Sequence, residues 1–383
     1  MAYFWKHAFN WYRQDYEVHE LYVSLSVRSL GMGVGGVFAP IYLLELGYSL
    51  AAVATFFLAA ALVRLPLEIL NGYAIARFGA KHILSLSYLA AIGYFLALYS
   101  IPLSSIWLPI AALLLGAEMS WFWSGYHAHF GQSRSHGSGG RQGGVIIVAR
   151  RMMMTIGPLL GGIVATAVGI EYSLLLAAGL LTVSVYPLLQ TPDYYGRHTF
   201  RFRWIKSFHL TVANIGYQAD MLASLLLWPA FMFLLLGAYD NVGFVLSLSG
   251  LVVSFLSVYS GKLVDSGRKN LLLVWGSVLG AAANAVRIFT ATIPQFLLVN
   301  FSSDISSNML AVPFNESLYQ EADQSERLNF VVNVQLRATA AKALLFGSLW
   351  VFAVWLPPLL ALQTVFGLAA AVSLLIPLVA AQK

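Results

Sequence analysis

Apolar residues run along this chain in blocks of roughly twenty, divided by short polar breaks. A helix needs about 20 mostly apolar residues to cross the hydrocarbon of a bilayer. On that criterion the pattern predicts twelve membrane-spanning helices, at 21–44, 48–70, 82–101, 105–127, 145–169, 171–190, 210–238, 241–260, 270–290, 293–317, 329–352 and 355–380. Several are joined by tight turns, at Leu46 to Tyr48, at Ile101 and Pro102, and at Trp355 to Pro358. Turns this short make consecutive helices antiparallel neighbours. The seventh block opens on a polar stretch, Thr211 to Asp220.

Two longer hydrophilic stretches interrupt the blocks, at 128–144 and 191–209. The second falls between spans six and seven. The expected organisation is therefore a cytoplasmic N-terminal amphipathic segment (1–20), an N-terminal six-helix bundle (21–190), a basic cytoplasmic linker (191–209) and a C-terminal six-helix bundle (210–383). The fold class is all-α, a polytopic membrane protein of about twelve transmembrane helices in two pseudo-symmetric bundles.

Composition narrows the class further. The 383 residues are 59% hydrophobic and 10% charged, against about 25% charged in soluble domains. There is no cysteine, which excludes disulfides, thiolate metal sites and a thiol nucleophile. The net charge of +6 is scattered through short loops, so nucleic acid is not an expected partner. Seventeen of the 22 Lys and Arg fall in segments on one side of the predicted membrane, among them Arg77, Lys81, Arg150, Arg151, Arg203, Arg268 and Arg327. The opposite loops hold Glu45, Glu171 and Asp240 instead. Basic loops mark the cytoplasmic side, so both termini are expected inside and the protein in the cell (inner) membrane.

The other five basic residues fall within spans, away from the cytoplasmic ends: Arg28, Arg64, Arg287, Arg337 and Lys342. A charge in lipid costs about 3 kcal/mol on insertion scales and usually faces a protein interior or a wet path. Spans one, four, seven and ten carry Arg28, Glu118, Asp220 and Asp304. Spans two and eleven carry Arg64, Glu68, Arg337 and Lys342, and span nine carries Arg287 near its outer end. Spans three, six and twelve have no charge away from their ends.

Other signals are weaker. Gly31, Gly33 and Gly36 satisfy a dinucleotide-loop spacing, but they sit within an apolar helix with no strand before it. His127 and His129, with His136 beyond, suggest a metal. Alternate residues do not share a helix face, and an interfacial aromatic–histidine cluster with Trp121, Trp123 and Tyr126 is the simpler account. No metal, cofactor, ATPase loop or hydrolase elbow is expected, so the protein is not read as an enzyme.

Two loops in equivalent places look alike. One contains Gly72, Arg77, Gly79 and Lys81; the other contains Gly261, Asp265, Gly267, Arg268 and Lys269. Their first glycines are 189 residues apart, about half the chain. Both resemble the Gly-x-x-x-Asp-Arg-x-Gly-Arg-Lys loop of the major facilitator superfamily, with Ala76 at the first copy's acidic position. Gly31, Gly33, Gly35, Gly36 and Pro40 are similar to its opening helix. Gly157, Pro158, Gly161 and Gly162 resemble a Gly-Pro-x-x-Gly-Gly packing element frequent in its proton-coupled exporters.

The resemblance implies a monomeric secondary transporter in membrane lipid, moving a small-molecule substrate with protons by alternating access. Spans one, four, seven and ten would line the cavity, spans two and eleven would gate it, and spans three, six and twelve would face lipid. Glu118 and Asp304 are then the proton-coupling candidates. Arg28, Asp220, Asn308, Arg337 and Lys342 are the substrate-cavity candidates. Arg64, Glu68, Glu316 and the two glycine loops form the cytoplasmic gate. Proton-coupled export is the expected activity, with uptake, or a non-transporting role such as lipid scrambling, as alternatives.

Overall fold

The structure is a computed structural model that describes residues 20–133, 139–190, 200–254, 268–323 and 327–380, with side chains apart from 130–133, 139–148, 319–323 and 327. The second glycine loop (Gly261, Asp265, Gly267), the N-terminal segment 1–19 and His136 lie outside the described residues.

Twelve helical segments follow one another without a strand among the described residues. They are α1 (Glu20–Glu45), α2 (Leu50–Phe78), α3 (Ala80–Leu103), α4 (Trp107–Ser133), α5 (Gly139–Val168), α6 (Ile170–Leu188), α7 (Phe208–Leu236), α8 (Tyr239–Ser254), α9 (Lys269–Arg287), α10 (Ile293–Asp323), α11 (Arg327–Trp355) and α12 (Pro358–Ala380). Nine of the described helices are long and apolar enough to cross a membrane, and α8 is a shorter apolar helix. The chain is a multi-pass integral membrane protein.

Each boundary has a local cause. Ser49 caps α2 by accepting a hydrogen bond from the Ala52 amide, and Ser207 caps α7 in the same way from Leu210, satisfying amides with no partner inside the helix. Gly79 ends α2 with φ +95°, in the region that favours glycine, and its N–H returns to the Ile75 carbonyl. Pro357 and Pro358 separate α11 from α12, since proline is tolerated only in a helix's first turn. The polar opening of α7 stays helical and passes through a π-helical stretch, Ala223–Leu227, into its apolar half.

One expectation is corrected at the first glycine loop. Gly72 and Arg77 lie inside α2, which spans 29 residues, about 43 Å at 1.5 Å per residue. The bilayer core is about 30 Å thick, so the last turns of α2 project beyond it. The loop proper shrinks to a turn at Gly79.

The two bundles meet along α2 against α11 and α5 against α8. Within the halves, α3 packs on α4 and α6, while α9 packs on α10 and α12. The lipid-facing character predicted for the third, sixth and twelfth spans shows in exposed Leu86, Leu89, Leu96, Val183 and Leu360.

Small residues set the α5 interfaces. A Cβ on Gly157 would come within 2.6 Å of Gly33, one on Gly161 within 2.1 Å of the Val34 carbonyl, and one on Gly162 within 2.6 Å of the Tyr239 carbonyl. One turn-and-a-half of α5 thus grips α1 in its own bundle and α8 in the other.

Candidate functional site

The end of the molecule that carries the α1–α2 and α7–α8 turns is closed. Phe57 of α2 stacks on Phe346 of α11 with centroids 5.4 Å apart. Tyr239 donates a hydrogen bond to Glu45 and meets Phe38 edge-on at 5.6 Å. These contacts join the two bundles.

Toward the opposite end, the bundles part around a cavity of about 150 Å³. Five helices contribute: α2 by Arg64, α4 by Trp123 and His127, α7 by Asn214, Tyr217 and Gln218, α10 by Phe314 and Asn315, and α11 by Phe330, Gln335 and Lys342. The wall on α7 and α10 is aromatic, with Tyr217 stacked on Phe314 at 4.2 Å and 6°. The wall on α2 and α11 is cationic. Arg64 donates to Glu68 at 2.5 Å and to Gln335 at 2.7 Å, while its remaining amino group has no hydrogen-bond partner. Glu68 also accepts from Ser124 at 3.0 Å and Thr339 at 3.4 Å. One buried carboxylate therefore ties α2, α4 and α11 together.

Behind this wall Glu118 pairs with Arg28, with side chains 2% and 7% exposed. The Arg28 guanidinium lies 3.4 Å above the Phe122 ring, a favourable cation–π position. Glu118 is also within the electrostatic reach of Arg64 and Lys342. It is turned inward, away from lipid.

The remaining cavity candidates stand elsewhere, because nearer partners claim them. Asn308 is committed to the Val253 carbonyl on α8 at 3.1 Å. Asp220 accepts from Asn284 on α9 at 2.8 Å. Arg337 turns to the start of α7 and the chain before it, donating to Thr211 at 3.0 Å and to the Ile205 carbonyl. Of the five residues expected in the cavity, Lys342 lines it and Arg28, Asp220, Asn308 and Arg337 do not. Asp304 is half-buried on α10, where it accepts from Asn300 at 3.2 Å and its carbonyl faces Arg151 of α5 at 3.4 Å.

The gate residues also divide. Arg64 and Glu68 bridge the bundles through Gln335 and Thr339. Lys81 instead pairs with Glu20 at 3.2 Å inside the first bundle. Arg77 and Arg268 are exposed, and Glu316 is half-buried on α10.

Four features escaped the sequence reading. Arg150 and Arg151 were counted with the basic loops but lie in α5. Arg150 approaches the Phe122, Trp123 and Tyr126 rings at 5.1–5.6 Å. Arg287, placed near an outer end, is fully buried and donates to Asn284, to Ser224 at 3.0 Å and to Ser303 at 2.8 Å. The linker is the fourth. Residues 200–206 run without helix along α11, where Asn329 and Asn333 bond both faces of the backbone at Arg203 and Ile205, at 2.9–3.0 Å. Phe200 plugs between Gly72 and Tyr73 of α2 and Val332 and Leu336 of α11. The signal was present as asparagines and arginine at 329, 333 and 337, one helix face at four-residue spacing. His127 stacks on Trp123 at 5.7 Å, and no group of three metal-ligating side chains occurs among the described residues.

No protein-family profile matches the sequence, and no curated protein matches it either. Solved structures do match in shape. A crystal structure of peptide transporter POT in complex with sulfate superposes with TM-score 0.68 at 13% identity, covering 95% of this chain and 94% of that one. A POT family transporter in complex with 5-aminolevulinic acid gives TM-score 0.71 at 10% identity, covering 95% of each chain. The chain has the fold of these transporter structures over nearly its whole length.

Proposed function

We propose that this protein is a secondary active transporter of the major facilitator type, moving a small organic solute by alternating access with proton coupling. One observation carries the reading: a polar and aromatic cavity lies between two six-helix bundles that are sealed together at one end, with the buried Arg28–Glu118 pair behind its wall. Two bundles that meet along matched helix pairs can rock about such a cavity and expose it to either side in turn. The shape-matched proteins are transporters by their descriptions, crystallised with sulfate and with 5-aminolevulinic acid.

The basic residues of the α2–α3 turn and the linker lie at the cavity's end of the molecule, and the positive-inside rule favours a cytoplasmic location for that end. The state described here then faces inward. Glu118 is the coupling group in this reading. Its proton would be exchanged against the Arg28 contact, since desolvation disfavours a carboxylate's charge and a guanidinium favours it. Asp304, beside Arg151 where α5 and α10 approach each other across the bundles, is a second proton site. The resemblance of Gly157, Pro158, Gly161 and Gly162 to exporter sequences favours antiport.

The test uses purified protein in liposomes loaded with a defined mixture of organic acids, amines and dipeptides. A pH gradient is imposed and the contents are read by mass spectrometry. At least one solute should move against its gradient, and Glu118→Gln, verified as folded by its melt, should abolish that movement. Lipid flipping that ignores the gradient, with no solute accumulated, would replace the transporter by a scramblase.

A further inference from the structure

We infer that the cavity is built for an organic anion with a flat apolar body, an inference that rests on the transporter reading and specifies its substrate class. The argument starts from unspent charge. Lys342 lines the cavity and makes no hydrogen bond or ion pair among the described residues. Arg64, 2% exposed, also lines it and keeps one amino group without a partner. The two cations line one and the same cavity, and like charges repel. Two like charges side by side in a low-dielectric wall are costly unless something neutralises them.

The carboxylates nearby do so only in part. Glu68 is shared among Arg64, Ser124 and Thr339, and Glu118 is held by Arg28. Among the described residues no carboxylate lines the cavity itself. An entering anion therefore meets an ammonium with its donors unused and a guanidinium with one amino group unpartnered, the arrangement that binds a carboxylate or sulfonate by charge-assisted hydrogen bonds.

The opposite wall sets the rest of the ligand. The Tyr217–Phe314 stack presents flat apolar surface, and Gln218 has a buried carbonyl oxygen with no partner, able to accept one hydrogen bond. A volume of about 150 Å³ is roughly five waters' share of the liquid, and a cavity of that size takes up benzene, the scale of a small aryl carboxylate. An amine would face two cations, and a lipid would be too large to enter whole.

The experiment measures binding in detergent, so it does not depend on transport. Benzoate, hippurate and indole-3-acetate are each compared with the matching amide and amine by thermal shift and isothermal titration. At least one carboxylate should bind at least tenfold tighter than its amide, and its amine should not bind. Lys342→Gln should erase that preference, with the unliganded melt showing that the variant is folded. Lys342→Arg should restore it. No carboxylate preference, a preference for amines, or a preference intact in K342Q would overturn the inference. Displacement of the carboxylate by phosphatidylglycerol added to the micelle would assign the charge to a lipid headgroup and overturn it too. Any of these leaves the liposome experiment, and with it the transporter reading, to stand or fall separately.

Discussion

Glu118 can be removed in three ways that the structure ranks. Its pair with Arg28 is almost completely out of contact with solvent, at 2% and 7% exposure. Glu118→Ala deletes the carboxylate and leaves the guanidinium buried without a counter-charge, which costs about 3–5 kcal/mol. The Phe122 stack beneath Arg28 is present before and after, so it does not alter that difference. Glu118→Gln keeps an oxygen acceptor for the guanidinium and loses only the charge, a cost of about 1–3 kcal/mol. The double change R28M/E118M replaces the pair by apolar side chains of similar length and should lie near wild type, within about 1–4 kcal/mol on the stable side. The assay is the thermal unfolding midpoint in a single detergent, followed by tryptophan fluorescence. The expected order is E118A lowest, E118Q between, and the double variant at or above wild type. A wild-type midpoint for E118A, or a double variant melting below E118A, would refute the claim that these two charges compensate each other in a dry site. The double variant also separates folding from mechanism, since it should be stable and unable to couple protons.

Three further outcomes follow from other contacts. Arg287→Met strips the donor that joins Asn284, Ser224 and Ser303 and should cost about 3–5 kcal/mol as a broken buried charge network, whereas exposed Arg268→Met should leave the melting midpoint unchanged. Asn333→Ala removes two bonds to the linker, each worth about 1 kcal/mol, and should speed hydrogen exchange at the Ile205 amide relative to helical amides of α11. Gly72→Ala drives a methyl to 2.4 Å from the Phe200 ring; it should destabilise by about 1–3 kcal/mol as overpacking, and adding Phe200→Ala should cost less than the same change made in wild type.

Much of the architecture was legible in the chain. The spacing of apolar blocks located all twelve helices, with α2, α4, α5 and α10 each running six to eight residues past one expected end, because the bilayer leaves the backbone no alternative to satisfying its own hydrogen bonds within each block. The polar stretch from Thr211 to Asp220 stays helical for that same reason, its side chains paired within the helix, Gln218 to Asn214, and to neighbouring helices, Asp220 with Asn284 and Thr211 with Arg337. Boundaries drifted where the local residues were neutral between helix and loop. Gly72 to Phe78 lacks a proline or a polar break, so α2 continued to Gly79, where a positive φ ends it.

What each charge does was a different matter. Sequence alone fixes that Arg28, Arg64, Glu68, Glu118, Arg287, Arg337 and Lys342 lie within helices too apolar to expose them, since lipid excludes unpaired charge. It could not decide their partners, because partners come from residues 90 positions away, as for Arg28 and Glu118, or 271, as for Arg64 and Gln335. Rotation of each helix about its axis and the rival claims of neighbours made that choice. Arg337 went to the Ile205 carbonyl of the linker, Asp220 to Asn284, and Lys342 to the cavity wall. Periodicity carries the path of the chain through the membrane, while the electrostatics of a site depend on distances between helices, which exist only once the bundles have packed.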